Sequence, residues 1–187
     1  MRAPIGDFDD ARPALDCLDL LTPPVAAAVR AWTGPVQADQ ILYVDTDPAI
    51  ADTAVFVEHH GPELLDQSAN CVVVAGKRGE TTTLAACVVK SASRVDVNGV
   101  VRKHLGARKA RFASMDTATG DSGMEYGGIT PIGLPADWLL LVDAAAVDTP
   151  WVLLGSGRRR GKIIVPGKAL AQLPNAVVLE SLGLPAT

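Results

Sequence analysis

The residues best placed to do chemistry lie in one run, Gly123-Met124-Glu125-Tyr126-Gly127-Gly128-Ile129-Thr130-Pro131-Ile132-Gly133-Leu134-Pro135, which holds four glycines and two prolines in thirteen residues. Paired glycines ahead of a fixed proline let the backbone take positive φ and come close to another molecule. Such a bend leaves N–H groups free for carbonyl, phosphate or ribose oxygens. Apolar, strand-like segments flank it, which predicts a rigid loop on a sheet. The alternative is a plain double turn between strands. A second glycine-rich turn, Gly155-Ser156-Gly157-Arg158-Arg159, adds a hydroxyl and two cations. Thr130 and Ser156 are loop hydroxyls that could line a pocket, or simply serve their turns. No nucleophilic-serine motif and no metal-ligand set stands out. Glu58-His59-His60 is a poor metal site, because adjacent histidines on a helix point about 100° apart.

These loops need a scaffold, and the chain is long enough to build one. Its 187 residues are 48% hydrophobic and 20% charged, which suits one globular domain with a substantial core. Aromatics make up only 4%, so Val, Ala and Leu must fill that core. No apolar run reaches the roughly 20 residues of a membrane span, and the N-terminus lacks a signal-type apolar stretch. The expected location is cytoplasmic. Cys17, Cys71 and Cys87 are odd in number and widely spaced, which argues against a CxxC site or a structural disulfide. The net charge of −4 argues against gross electrostatic capture of nucleic acid. Basic clusters at Arg102-Lys103-His104, Arg108-Lys109-Ala110-Arg111 and Arg158-Arg159-Arg160-Gly161-Lys162 are either solvated surface or a local basic face.

Residues 1–13 are polar and read as loosely ordered. Short helices are expected over Ala14 to Leu21, stopped by Pro23-Pro24, and over Val25 to Trp32. Ile41 to Val44 reads as a strand. Asp47 and Pro48 open a helix running to His59 or His60 and ended by Gly61. Cys71 to Val74 and Thr83 to Val89 form a hairpin about Gly76-Lys77-Arg78-Gly79. Asp96 caps a helix from Val97 to Leu105. Lys109 to Ala113 is a strand, and Thr117 to Ser122 a polar approach to the glycine bend. Strands follow at Trp138 to Val142, Trp151 to Leu154, Ile163 to Val165 and Ala176 to Leu179, with a short helix over Lys168 to Leu173. Short strands mixed with helices predict a compact α/β or α+β domain.

Gly127-Gly128-Ile129-Thr130-Pro131-Ile132-Gly133 resembles the signature Gly-x-x-x-Pro loop of the YbaK/EbsC family, the editing domains related to prolyl-tRNA synthetase. Val95 to Ala110 resembles that family's Leu-Asp-Leu-Lys-Lys helix and its Leu-Gly-Ala-Lys-Lys end. Gly155 to Arg159 is similar to its Ser-Gly-Gly-Lys-Arg turn, with Ser and Gly exchanged. Asp66-Gln67 before a valine-rich strand also fits. The pieces run in family order from about Asp47 to Leu179, so residues 47–187 are expected to be the family domain and 1–46 an N-terminal segment of the same unit. The resemblance implies an α/β domain with a mixed, partly barrel-like sheet surrounded by helices. It also implies a loop that holds the aminoacyl carbonyl and terminal adenosine of tRNA. One departure matters: Asn70 stands where well-studied members carry a lysine important for deacylation. Asn has an amide donor and acceptor but no charge.

The resemblance implies hydrolysis of the ester of a mischarged tRNA, and walls rich in Ala, Gly and Ser would favour a small amino acid such as alanine, serine or threonine. Asn70, Gly127, Gly128, Ile129, Thr130 and Pro131 are the catalytic candidates; amide donors suit an oxyanion. Gly155, Ser156, Gly157, Arg158, Arg159, Arg102 and Lys103 are the substrate-binding candidates, the cations for tRNA phosphates. By resemblance the substrate's ribose hydroxyl helps to activate water, so no cofactor or metal is expected. The expected partners are the tRNA acceptor end and an aminoacyl-tRNA synthetase. The second reading is a non-catalytic module that binds an aminoacyl end or nucleotide, its chemistry lost with the lysine. A third is hydrolysis of a small ester or amide unrelated to tRNA.

Overall fold

The computed structural model describes residues 1–186, a mixed α/β domain built on three sheets. In chain order the elements are β1 (Arg12–Pro13), α1 (Pro23–Arg30), β2 (Leu42–Val44), α2 (Thr53–His60), α3 (Leu64–Gln67), β3 (Ala69–Arg78), β4 (Thr81–Lys90) and β5 (Ser93–Val95). There follow α4 (Arg102–His104), β6 (Lys109–Phe112), α5 (Met115–Ser122), β7 (Leu139–Asp143), α6 (Ala144–Val147), β8 (Trp151–Gly155), β9 (Lys162–Pro166), β10 (Ala176–Leu179) and β11 (Gly183–Pro185). Short 3₁₀ turns cover Ala14–Leu20, Ala38–Gln40, Pro48–Ile50 and Gly167–Gln172.

The larger sheet runs β10-β7-β4-β3-β6, and the second runs β1-β2-β9-β8. β4, β7 and β10 pair in parallel, and the other pairings of these sheets are antiparallel. The two sheets meet through a single parallel bridge, Ser68 with Leu153, and do not close into a barrel. β4 and β7 lie in the middle of their sheet with both faces covered. Cys87, Val88, Leu141 and Val142 are accordingly fully buried, the continuous apolar run expected of a two-sided strand.

Most expected elements form, with differences that have local causes. Pro23 and Pro24 do not merely stop a helix; they occupy the first turn of α1, where a missing N–H costs nothing. The helix expected from Asp47 is split. Asp47 caps only the turn Pro48–Ile50, its carboxylate accepting from Ala49 N at 2.8 Å, and α2 starts afresh after Asp52. The Asp96 helix opens as a π-turn over Val97–Val101, with the Asp96 carboxylate accepting from Gly99 N and Val100 N. Thr117 to Ser122 is helical, part of α5, capped by Ser114. Residues 1–13 are packed: Ala3, Ile5, Phe8 and Ala11 bury against Phe56 and Leu64.

Acidic side chains shielded from water make this core sensitive to alkali. Burial, then the Asp45 carboxylate, pushes Tyr43 up to about 12, and burial pushes the Cys87 thiol up to about 12 and the Cys71 thiol up as well. A raised folded pKa gives stability that is complete below the unfolded value and lost as pH climbs past it. The unfolded values are 9.0 for cysteine and 10.0 for tyrosine. Urea midpoints are therefore expected to hold near about pH 7.5 and to fall clearly by about pH 10.5.

Candidate functional site

The glycine bend and the second glycine turn form one unit. Glu125 N donates to Gly157 O at 2.8 Å, and Gly157 N donates to Gly128 O at 2.8 Å. Arg159 N donates to the Glu125 carboxylate at 2.8 Å. Contact is so close that a Cβ on Gly155 would fall 2.5 Å from Gly128 O, and one on Gly128 2.3 Å from Arg158 O. Glycine is required at both positions because main chain touches main chain.

This unit forms one wall of a cavity of about 550 Å³. Asn70 and its neighbours on β3, the start of α2, Gly155 on β8 and Lys162 on β9 supply other walls. Of the bend's amides, Gly128 N donates to Glu125 O and Thr130 N lies 3.5 Å from Met124 Sδ. Gly127 and Ile129 have no hydrogen-bond acceptor among the described residues for their amides, and both line the cavity. β3 adds more free main chain. Its odd-numbered peptides face β6, as Ala113 N donating to Val73 O shows, but β6 pairs only with Val74 to Lys77. Cys71 thus has its N–H and C=O turned to an edge without a strand partner, beside the cavity.

Asn70 lies in the wall as expected. Its Oδ1 accepts from Thr53 Oγ1 at 3.4 Å, which leaves the Nδ2 donor without a protein acceptor. Other expectations are revised. Thr130 and Pro131 are buried and outside this cavity, Thr130 at 0% exposure with no hydrogen-bond partner for its Oγ1 among the described residues. Ser156 is likewise at 0% exposure, with its hydroxyl bonded inside its own turn. Arg158 turns inward to Leu21 O, and Arg159 is held by Pro48 O and the Asp52 carboxylate at 3.2 Å. Arg102 lies in a separate depression with Lys77, Arg108, Lys109 and Arg111, and Lys103 is exposed. These two candidates are not brought to the cavity. Asp45 takes Arg160 in a two-point ion pair that holds its carboxyl below the usual range.

In sequence Lys162 is the tail of a basic cluster, yet it is 7% exposed and lines the cavity. Its Nζ lies 3.4 Å from Ala51 O and 5.3 Å from the Phe56 ring centroid. Burial, and then Arg159, lower its pKa, with Asp52 opposing. Cys71 offers no thiolate there, since burial raises its pKa. No histidine lines the cavity among the described residues, so no nucleophile–base pair of the Cys–His or Ser–His kind forms there. The site is a set of hydrogen-bond donors around an apolar hollow. Exposed Tyr126, Phe112 and Met115 ring its mouth.

The family model of the aminoacyl-tRNA editing domain matches residues 47–173, a span that contains every residue lining the cavity. The chain belongs to that family. Solved structures share the editing-domain fold. One, described as a candidate trans-editing enzyme for prolyl tRNA synthetase, superposes with a TM-score of 0.66 at 18% identity, covering 86% of this chain and 97% of that one. A hypothetical protein, APE2540, gives 0.63 at 18% identity over 77% and 91% of the two chains. A scaffold protein used in epitope grafting gives 0.68 at 18% identity over 85% and 95%. Among the described residues of this editing domain, no helix is long and apolar enough to cross a membrane.

Proposed function

We propose that this editing domain is a trans-editing deacylase that hydrolyses the ester of tRNA mischarged with a small amino acid. The observation that carries the reading is the pairing of a cavity sized for an aminoacyl-adenosine end with unpartnered main-chain donors at Gly127 and Ile129. Donors fixed before the reaction stabilise developing negative charge without reorganising, which is how an oxyanion hole works. The free edge of β3 at Cys71 suits the extended aminoacyl group. Tyr126 and Phe112, 61% and 57% exposed at the mouth, offer faces for the terminal base. Asn70 Nδ2 is a further neutral donor. The family match supports tRNA as partner, and Arg102 and Lys103 suit its phosphates at a distance from the cavity.

The test is single-turnover deacylation of a panel of tRNAs carrying alanine, serine, threonine, cysteine and proline. Turnover of at least one small mischarged residue is expected, and Asn70→Ala should slow it about tenfold, less than loss of a principal oxyanion donor. Tight binding of aminoacyl-tRNA with no turnover on any member would favour the non-catalytic binding module.

A further inference from the structure

We propose that Lys162 is a catalytic residue, its ammonium holding the carbonyl oxygen of the bound ester and the charge that forms there. This rests on the deacylase reading. A buried lysine is costly unless it is paired. Among the described residues no carboxylate lies within 4.0 Å of Lys162 Nζ. The nearest acidic influence, Asp52, is already engaged by Arg159 at 3.2 Å. An ammonium has three N–H donors, and here one reaches a protein acceptor, Ala51 O, at the long distance of 3.4 Å. Nor does the chain carry the head out to water, the usual way a lysine stem is buried, for the residue is 7% exposed. What remains is a cation with spare donors on the wall of a cavity.

Its position is fixed on both sides. Lys162 opens β9, paired with Val44 of β2 and with Gly155 of β8. Gly155 carries no side chain and touches Gly128 O and Ile129 O, so the lysine is one strand away from the glycine bend. Lys162, Asn70 Nδ2 and the Gly127 and Ile129 amides are all donors, and they call for an electron-rich oxygen. In the reaction, water adds through oxygen to the ester carbon and the C=O π pair moves onto the carbonyl oxygen, beside Lys162. Collapse restores the C=O and breaks the bond to the ribose oxygen. That oxygen leaves with the proton the water gave up, yielding free amino acid and the tRNA 3′ end.

The experiment compares the full chain with Lys162→Met and Lys162→Gln in turnover and in calorimetric binding of two alanyl-adenosine analogues. One replaces the ester with an anionic tetrahedral phosphonate, the other with a neutral planar amide. Lys162→Met is expected to lower kcat and phosphonate affinity at least about thirty-fold, while amide affinity changes less than about threefold, the pattern of a group that acts on transition-state charge. Lys162→Gln should fall between, and neither variant should melt earlier, since a buried charge is being removed. Equal loss for both analogues, no loss, or a wild type that does not prefer the phosphonate would each overturn the proposal. Selective phosphonate loss with no wild-type turnover on the tRNA panel would instead overturn the deacylase reading and leave Lys162 as an anion-binding group.

Discussion

Gly155→Ala is expected to slow deacylation by roughly 100-fold, because displacing a catalytic wall by about 1 Å costs that much. The new methyl would sit 2.5 Å from Gly128 O and 2.8 Å from Ile129 O. Both obstacles are main chain, so no rotamer change relieves the clash. The strand and the bend must separate, which moves the Gly127 and Ile129 amides and strains the Gly157–Gly128 hydrogen bond. Circular dichroism should show the fold retained while single-turnover rates fall. Gly120→Ala is the control: nothing lies within 4 Å of its added methyl, and it sits inside α5. That variant should match the wild-type rate. A wild-type rate for Gly155→Ala would mean that the contact between the two glycine turns does not set the geometry of the site.

Ser156→Ala is expected to cost about 1–3 kcal/mol of stability, the range for stranding buried polar partners. The Ser156 hydroxyl faces Arg160 O at 2.9 Å and Arg158 O at 3.2 Å, and accepts from Arg158 N at 3.4 Å. It therefore bridges peptide groups of a turn that has no regular pairing of its own. Urea denaturation at neutral pH measures the loss directly, and an unchanged midpoint would contradict this role. Deacylation should fall less than in Gly155→Ala, since the turn keeps its stitches to Glu125 and Gly128.

The β3–β4 hairpin could be read from its valine run, although β3 continues through the expected turn to Arg78 and the chain reverses at Gly79-Glu80; the glycine bend has a plain double turn as its alternative, and Asn70 comes only through the family resemblance. The burial of Lys162 could not be read from residue types, since it follows three arginines and reads as more of the same charge. What buries it is tertiary: β8 pairs with the whole of β9, from Lys162 to Pro166, and β2 flanks its other side from Lys162 to Ile164. The available signal was its place directly after Gly161 and flush against Ile163-Ile164-Val165. Thr130 is buried with no partner for its hydroxyl among the described residues, and Ser156 shows the converse of Lys162. A hydroxyl in a loop is as good at bonding its own turn as at meeting a ligand. Helix α5 is hidden in the sequence because Thr117, Thr119, Gly120 and Asp121 are weak helix formers, although Ser114 offers a cap. The helix expected from Asp47 is interrupted because α2 starts anew after a second acid, Asp52, a break that hydrophobic spacing does not show.

The family match begins at residue 47, whereas β2 ends at Val44. A fragment trimmed to the matched span would lose the strand that covers β9, and with it Tyr43, whose hydroxyl packs over Gly161. The outer rung of that sheet, Ile163 and Ile164 included, would then offer bare peptide groups to any neighbouring copy, a template for sticking and precipitation. The opening forty-odd residues thus act as a built-in guard rail for the sheet that carries Lys162.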